Sequence, residues 1–230
     1  MNIEGSRILI LGANGVLGSH ISNLLQAKGA QIVGTARSNQ SSATLDVNLS
    51  ERLIVDFNEP VSIATLAGYL VSSPLPLNGV INAAGVVGFG NVEDTSAQMA
   101  ATLMQVNHLG PAALITQLLP ALKKSAEVGN APIVVGITGV VAERAFPGMA
   151  AYVASKTAHA AWLAALALEM RRAKIRVLDA HPGHTESGLA SRSVFGNAPK
   201  FPQGLTPEHV AEVIVNAIEH DLTSLTSADF

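Results

Sequence analysis

Short apolar runs alternate along the chain with longer segments of helical periodicity. Each run is continuous in apolar residues, which is typical of parallel strands buried on both faces. The predicted strands cover residues 7–11, 30–35, 52–55, 79–82, 132–137 and 175–179, and the predicted helices cover residues 16–28, 61–70, 97–109 with a continuation to 122, 152–172 and 207–220. This alternation predicts an α/β fold with a Rossmann-type, doubly wound parallel sheet.

Length and composition favour a single domain over residues 1–230. Folds of the α/β class commonly reach 230 residues around one core, and the 48% hydrophobic content is sufficient for a sheet covered on both faces. One long segment, residues 187–205, is rich in Ser, Gly and Pro. Because such a segment in a compact domain is usually a binding loop or a lid, we predict a substrate loop there.

Charge and cysteine content narrow the class of protein. The formal net charge is -3 with both signs scattered, so no basic surface favours nucleic acid or a membrane as a partner. The absence of cysteine excludes disulfides and thiolate metal sites, and it favours the cytoplasm. The first apolar run is flanked by Glu4 and Arg7, which favours a strand over a signal peptide.

A glycine-rich loop joins the first predicted strand to the first predicted helix. Its sequence is Gly12-Ala13-Asn14-Gly15-Val16-Leu17-Gly18. Gly12 permits a tight turn, Gly15 lets backbone approach a pyrophosphate, and Gly18 lets helix and strand pack closely. The helix N-terminus adds free N–H groups and the positive end of a dipole. A turn that binds nothing is the alternative, but the position of the loop favours a dinucleotide site.

The end of the second predicted strand favours NADP over NAD as the cofactor. An acidic residue at this place hydrogen-bonds the ribose hydroxyls of NAD and repels a 2′-phosphate. Here the chain has Arg37 and Ser38 and no carboxylate, and a guanidinium with a hydroxyl suits a phosphate. The alternative is a solvated loop arginine, so NAD stays open as the cofactor.

Six motifs in order resemble those of the short-chain dehydrogenase/reductase family, from the first strand to about Ser187. The glycine loop is the first, and its spacing is similar to that of the family's extended and atypical branches. Asp56-Phe57 is similar to the pair that holds adenine, and Asn82-Ala83-Ala84-Gly85 is similar to an Asn-Asn-Ala-Gly strand end. Asn107 is similar to a helix residue that anchors a relay water, and Tyr152-x-x-x-Lys156 is similar to the family's Tyr-x-x-x-Lys motif. Pro182-Gly183 is the last motif, with Thr185 and Ser187 near the positions that hold the nicotinamide carboxamide. The resemblance implies that these residues bind a nicotinamide cofactor and that the chain is an oxidoreductase.

The spacing of Tyr152 and Lys156 also has a physical meaning of its own. Residues four apart on a helix share one face, so the Lys156 ammonium lies beside the Tyr152 phenol. A free phenol has a pKa of about 10, and an adjacent cation lowers that pKa toward the range that a general base needs. The alternative is a surface pair that meets no ligand. Together with the resemblance, the pair implies a proton relay.

One position departs from the family's pattern. The segment Phe146-Pro147-Gly148 aligns the family's catalytic serine with Gly139, so that hydroxyl is missing. Losing such a transition-state contact costs on the order of a hundredfold in rate. Thr138 is the provisional substitute, although successive strand residues point to opposite faces. The other candidates are the Gly139 N–H, a water, His184 and Glu143, and Thr138 is alternatively a buried residue whose hydroxyl caps backbone.

Two further features have competing interpretations. His181, His184 and Glu186 flank the Pro-Gly turn, where lining of a substrate pocket is favoured over a metal site because the turn separates the imidazoles. The predicted helix 152–172 is apolar around most of its circumference and therefore needs a cover besides the sheet. The family resemblance implies that another subunit supplies that cover, so we expect a homodimer or homotetramer.

The leading hypothesis is an NADP-dependent dehydrogenase or reductase that moves hydride between nicotinamide and a carbonyl compound or secondary alcohol. Its catalytic residues are Tyr152, Lys156, Asn107 and, provisionally, Thr138. Apolar residues in the segment 187–205 favour an uncharged or aromatic substrate. The alternative hypothesis is a redox sensor or regulatory protein that kept the dinucleotide site and has little turnover. An isomerase or dehydratase with a tightly held cofactor is a further alternative.

Overall fold

Strands and helices alternate as the hydrophobic pattern predicts. The computed structural model describes residues 1–46 and 48–230, and within them seven parallel strands form one sheet. The strands are β1 Arg7–Leu11, β2 Gln31–Ala36, β3 Glu51–Ile54, β4 Gly79–Asn82, β5 Ile133–Ile137, β6 Arg176–Ala180 and β7 Ser224–Leu225. Their order across the sheet is β3-β2-β1-β4-β5-β6-β7. The predicted doubly wound parallel sheet is confirmed.

Helices cover both faces of this sheet. They are α1 Val16–Ala27, α2 Asn39–Ser42, α3 Pro60–Ser72, α4 Ala97–Met104, α5 Gly110–Glu127, α6 Ala150–Met170 and α7 Pro207–Glu219. Helices α1 and α7 pack on one face with Ile8 and Ile10 of β1, whereas α3, α5 and α6 pack on the other face with Leu9 and Leu11. This division follows from strand geometry, because successive side chains point to opposite faces.

The two edge strands differ from the prediction. The third strand is predicted to be buried on both faces, but β3 lies at an edge of the sheet, and Arg52 and Ile54 are exposed. An edge strand has a neighbour on one side, so part of its surface reaches solvent. Strand β7 is missing from the prediction because two residues give no periodic signal. It pairs with Asp179 and Ala180 of β6.

The strand order places a crevice at the carboxyl end of β1. Strand β1 lies between β2 and β4, so the chain runs to opposite sides of the sheet from this point. In open parallel sheets, ligands bind at the carboxyl ends of the strands where the order reverses in this way. Across the described ranges, no helix has the length and apolarity that crossing a membrane requires.

Candidate active site

The glycine loop has the backbone shape that its sequence predicts. Gly12 has a φ of 74°, in the left-handed region that favours glycine. A Cβ at this position would lie 2.9 Å from the Cα of Ala84, and a Cβ on Gly18 would collide with the carbonyl oxygen of Gly12. Backbone atoms therefore exclude side chains at both positions, and β1, β4 and α1 approach closely around the loop.

Helix α1 begins at this loop with free backbone donors. Its N-cap is Gly15, and no side chain among the described residues caps it. The first turn holds Val16, Leu17 and Gly18, none of which is acidic. Uncapped N–H groups at the positive end of a helix dipole attract an anion. The loop therefore fits a pyrophosphate, with the half-buried Asn14 inside it.

The two residues after β2 differ in their freedom to bind a phosphate. The Arg37 side chain is exposed. Ser38 is the N-cap of α2, where its Oγ accepts a hydrogen bond from the N–H of Ser41 at 3.2 Å and its own N–H donates to Oγ of Ser41. This capping box uses the Ser38 hydroxyl for local structure. Arg37 is therefore the freer of the two predicted phosphate ligands.

The predicted adenine pair is divided between surface and core. Asp56 is half-buried, and its Oδ1 accepts a hydrogen bond from the N–H of Asn58 at 2.9 Å. Phe57 is 5% exposed and packs against Gly110, where a Cβ would collide with the phenyl ring. Asp56 therefore offers a side chain to a ligand, whereas Phe57 offers only its backbone.

The end of β4 forms the floor beside the glycine loop. Asn82 is buried, its Oδ1 accepts a hydrogen bond from the N–H of Ala84 at 3.3 Å, and its Nδ2 lies 3.3 Å from Nε2 of His159. Ala83 donates its N–H to the carbonyl of Leu11 at 3.0 Å. Asn82 therefore shapes the strand end, while the backbone of the next residues borders the crevice.

Asn107 lies in a π-helical turn, Gln105–Leu109, that separates α4 from α5. Its Oδ1 accepts a hydrogen bond from the N–H of Val86, and its Nδ2 donates to the carbonyl of Val86, both at 2.9 Å. Four positions on is Pro111, which has no N–H, so the Asn107 carbonyl has no α-helical donor. That carbonyl is available to a water or an ammonium. The helix predicted to continue to residue 122 is interrupted here.

Tyr152 and Lys156 lie one turn apart on α6, and both are buried. Nζ of Lys156 donates a hydrogen bond to the carbonyl of Ile137 at 2.8 Å. Gly85 borders the same space, since a Cβ there would lie 3.3 Å from Oδ1 of Asn107 and 3.4 Å from Nζ of Lys156. The fold therefore brings the ends of β4 and β5 and the π-helical turn together around the Lys156 ammonium.

Burial dominates the ionisation of this pair. It raises the pKa of the Tyr152 phenol to about 12 and lowers the pKa of the Lys156 ammonium to about 8, although the charge of Asp179 opposes the second effect. The sequence predicts that Lys156 lowers the pKa of Tyr152. In the protein alone, desolvation of the phenol is the larger effect. The phenol therefore keeps its proton near neutral pH.

The end of β5 is bonded to β6. Thr138 is fully buried, and its Oγ1 donates a hydrogen bond to Oδ1 of Asp179 at 2.7 Å. The N–H groups of Thr138 and Gly139 both donate to the carbonyl of Ala180, at 3.0 and 3.2 Å. Two of the donors predicted to substitute for a serine are therefore engaged inside the protein, and the Thr138 hydroxyl bonds a carboxylate instead of backbone.

His181 lies between two carboxylates. Its Nδ1 is hydrogen-bonded to Oε1 of Glu143 at 3.0 Å. Its Nε2 lies 3.0 Å from Oδ2 of Asp179, close enough for an ion pair, but has no hydrogen-bond partner among the described residues. The interaction with Asp179 and then that with Glu143 raise the pKa of His181 against the effect of burial. His184 instead stacks on Phe201, with ring centroids 4.6 Å apart. In the described part of the chain, no three His, Cys, Asp or Glu side chains are arranged to hold a metal ion.

The turn after β6 packs against the end of β5. The N–H of Val140 donates to the carbonyl of Pro182 at 2.9 Å, and Oγ1 of Thr185 donates to the carbonyl of Gly183 at 3.1 Å. The N–H of Ser187 donates to the carbonyl of Thr185 at 2.7 Å. Residues 182–187 therefore form one compact bend at the carboxyl end of β6.

The segment 187–205 folds over an apolar cluster that includes Tyr152. The N–H of Val194 donates to the carbonyl of Val87 at 2.8 Å, and the N–H of Phe89 donates to the carbonyl of Phe195 at 3.0 Å. Leu189, Phe195 and Phe201 pack against the buried members of this cluster, which are Val87, Phe89, Leu103, Val141, Met149 and Tyr152. A cavity of about 340 Å³ is lined by residues between His184 and Ser191 and by Ala198 and Phe201.

Two residues near the site are missed by the sequence interpretation. Asp179 is the last but one residue of the mostly buried strand β6, and a carboxylate in such a run is a usable signal because charged residues are seldom buried unless they are paired. His159 is 1% exposed, and its Nδ1 lies 3.5 Å from Nδ1 of His108. Burial lowers the pKa of His159 to about 3, so this imidazole is neutral. Its signal in the sequence is an ionisable residue within the otherwise apolar run 158–168.

Comparison with known proteins points to one family. The family model described as short chain dehydrogenase matches residues 6–195. The chain is 25% identical to dehydrogenase/reductase SDR family member 7B of Xenopus tropicalis, over 94% of this chain and 75% of that protein. The protein of the same name from Bos taurus is 26% identical, over 99% of this chain and 74% of that protein.

Solved structures share the whole fold. A short chain dehydrogenase from Burkholderia cenocepacia in complex with NADP has a TM-score of 0.84 at 23% identity, covering 98% of this chain and 89% of that one. A short chain dehydrogenase/reductase from Burkholderia phymatum in complex with NAD has a TM-score of 0.85 at 19% identity, covering 99% of this chain and 90% of that one. At these identities the likeness establishes the fold.

Proposed function

This chain belongs to the short-chain dehydrogenase/reductase family of NAD(P)-dependent oxidoreductases, and from that premise we propose that it transfers hydride between nicotinamide and a carbonyl compound or secondary alcohol through Tyr152 and Lys156. The observation that supports this most is the convergence of Gly85, Asn107 and Lys156 at the ends of β4 and β5, one helical turn from a buried tyrosine. A structural helix face has no need of a buried ammonium there.

Each polar group of this cluster has a distinct role in the proposed reaction. A bound nicotinamide cofactor would supply or accept the hydride. Tyr152 exchanges a proton with the substrate oxygen, and its high pKa keeps it in the protonated form that donates to a carbonyl. Lys156 carries the positive charge of the relay, and the carbonyl of Asn107, which lacks an α-helical donor, anchors a water beside it.

The cofactor is proposed to extend from the glycine loop across the carboxyl edge of the sheet. Gly12, Asn14, Gly15 and the first turn of α1 (Val16, Leu17, Gly18) cradle the pyrophosphate, and Asp56 with the backbone of Phe57 holds adenine. Ala83, Ala84 and Gly85 border the far ribose, while Pro182, Gly183, Thr185 and Ser187 hold the carboxamide. We propose NADP over NAD as the cofactor because the exposed guanidinium of Arg37 can bind the 2′-phosphate. Ser38 does not add to this preference, since its hydroxyl caps α2.

The substrate is proposed to lie under the segment 187–205. The apolar cluster around Tyr152 supports an uncharged or aromatic compound, since a buried charge without a partner is unfavourable there. We also propose that Gly139 stands at the serine position of the family. Thr138 is the adjacent hydroxyl residue in the sequence, and it donates to substrate only if its hydroxyl breaks its hydrogen bond to Asp179.

The first experiment is a cofactor titration followed by turnover. NADPH and NADH are titrated against the fluorescence of Trp162, the only tryptophan of the chain, and a panel of carbonyl compounds is then added. We expect NADPH to bind at least about tenfold more tightly than NADH, as one hydrogen-bonded charge pair provides. Arg37→Gln is expected to remove that preference and leave the affinity for NADH unchanged.

Tyr152→Phe separates chemistry from binding. Loss of a positioned general acid is expected to reduce turnover by about 10² to 10⁴-fold while cofactor affinity stays within about threefold. Tight cofactor binding without turnover by the unmodified protein would instead support a redox sensor. Conversion of a substrate without net oxidation of the cofactor would support an isomerase or dehydratase.

We further propose that α6 is covered by a second copy of the chain. Ala154, Ala161, Ala164, Ala165 and Leu168 of this helix are exposed, and Leu168 is 77% exposed. An apolar face of this kind on an otherwise well-packed protein is characteristic of an interface. Sedimentation at micromolar concentration is expected to give a homodimer or homotetramer, and a monomer would contradict the proposal.

A further inference from the structure

Asp179 is a charged residue at the end of a buried strand, and it does not belong to the relay described above. Its neighbours in β6, Leu178 and Ala180, are fully buried, and its own side chain is 17% exposed. Oδ1 accepts the hydroxyl hydrogen of Thr138 at 2.7 Å. A carboxylate that is largely removed from solvent in this way is stable only when it is paired.

The second carboxylate oxygen of Asp179 lies beside an imidazole. Oδ2 lies 3.0 Å from Nε2 of His181, whose Nδ1 lies 3.0 Å from Oε1 of Glu143. Glu143 in turn accepts hydrogen bonds from the N–H and Oγ of Ser227, at 2.8 and 2.6 Å. The Asp179 carboxylate is therefore fixed between the end of β5 and a chain of contacts that reaches the C-terminal residues.

Asp179 and Lys156 hold adjacent residues of β5 and the segment after it. Lys156 donates to the carbonyl of Ile137, and Asp179 accepts from the side chain of Thr138. Two titratable groups interact with the ammonium in the described part of the chain: Asp179 from β6, whose charge favours the protonated form of Lys156, and His159 on the same helix, whose pKa the ammonium lowers. Because the His159 imidazole is neutral, the charge that acts on Lys156 is that of Asp179.

We propose that Asp179 is a positioning residue for the relay: its carboxylate orients the Thr138 hydroxyl and supplies the negative charge that keeps the Lys156 ammonium protonated. When protonated, His181 moderates this charge, because its imidazolium contacts the same carboxylate. The inference rests on the proposed function for its catalytic meaning. Its physical content, a charge interaction between Asp179 and Lys156, is testable without turnover.

The test is the titration of Lys156 by ¹³C NMR of the lysine Cε atoms, which is practicable because the chain has six lysines. Asp179→Asn keeps an oxygen acceptor for Thr138 and removes the charge. It is expected to lower the pKa of Lys156 by about 1 or more, as for a lost opposite charge nearby. His181→Gln removes the imidazole beside the Asp179 carboxylate, so it is expected to strengthen the effect of that negative charge and to raise the pKa of Lys156. Glu169→Gln, on the exposed side of α6, is the matched control for loss of a carboxylate.

Shifts of opposite sign distinguish a charge interaction from general structural damage, which has no reason to reverse between the two variants. The inference is overturned if the pKa of Lys156 is unchanged in Asp179→Asn. If that variant fails to fold, an unchanged pKa of Lys156 in His181→Gln overturns it instead. If the unmodified protein is active, the alkaline limb of kcat/KM against pH should move to lower pH in Asp179→Asn. Absence of turnover in the unmodified protein contradicts the proposed function and leaves the NMR result to decide on Asp179.

Discussion

The glycine loop after β1 and the end of β5 lie along the same edge of the sheet but are built in opposite ways. In the loop, the N–H groups that begin α1 have no side-chain cap in the described part of the chain. After β5, the Thr138 hydroxyl and the N–H groups of Thr138 and Gly139 all bond to residues of β6. One region leaves its donors to a ligand, and the other uses its donors to hold a neighbouring strand.

This difference follows from what each region is proposed to recognise. A pyrophosphate is bound by backbone N–H groups, so the shape of the loop is sufficient and glycines provide it. A substrate oxygen needs one oriented proton donor whose protonation state is set by its surroundings. For the proposed proton donor Tyr152, burial and the nearby charge of Lys156 would provide those surroundings.

The largest expected effect is at the glycine loop, where backbone packs on backbone. In Gly18→Ala, the new Cβ collides with the carbonyl of Gly12 and lies 3.1 Å from the Cα of Ala13. Either the loop or α1 has to move, so we expect the free energy of unfolding to fall by about 1 to 3 kcal/mol. Cofactor affinity is expected to fall at least about tenfold. Chemical denaturation and the fluorescence titration measure these two changes.

Gly68→Ala is the matched control for this substitution. Gly68 also lies inside a helix, and a Cβ there has nothing within 4 Å. The same exchange is therefore expected to raise the free energy of unfolding by up to about 1 kcal/mol. If Gly18→Ala behaved like Gly68→Ala in both measurements, the close packing of the loop would have no role in binding.

The comparison also explains how far the sequence alone determines this site. The glycine spacing and the four-residue interval between Tyr152 and Lys156 are local patterns, and the structure has the loop and the helix that they predict. The contacts of Asp179 with Thr138 and of His181 with Glu143 join residues 41 and 38 positions apart. No periodicity encodes such pairs, because they depend on which strand ends the fold places side by side.

The second effect concerns Gly139 after β5, where the obstacle is conformational. Gly139 has a φ of 82°, and a Cβ there would have space, with the Pro182 carbonyl oxygen 3.5 Å away. A side chain in this left-handed region costs about 1 to 2 kcal/mol. Gly139→Ala and Gly139→Ser are therefore both expected to lower the free energy of unfolding by about that amount, as chemical denaturation would measure.

The pair of variants isolates the hydroxyl that, in our proposal, the family's pattern would place at this position. Since both carry the same backbone strain, their difference in turnover is the contribution of the serine oxygen alone. We expect Gly139→Ser to be within about tenfold of Gly139→Ala, because the local backbone differs from one built around serine. A hundredfold gain over the unmodified protein would indicate an enzyme that had lost its activity with that hydroxyl.

The smallest effect is expected from the contacts that tie the strand end to the C-terminal residues, and it should depend on pH. The pKa of His181 is raised by Asp179 and Glu143, so its stabilising contribution is present below the unfolded value of about 6.5 and is lost as pH rises through the raised value. Desolvation raises the pKa of Glu143, but hydrogen bonds from Ser227 and His181 outweigh it and lower that pKa. The stabilising contribution of Glu143 is therefore lost only as pH falls below about 4.5.

Chemical denaturation should therefore show that His181→Gln destabilises the protein at about pH 6 and has less effect at about pH 9. The difference should be below about 1 kcal/mol because these ion pairs are partly exposed. His220→Gln, at the exposed end of α7, is the control for loss of a histidine, and equal destabilisation by His181→Gln at both pH values would mean that the imidazole acts through packing instead of charge.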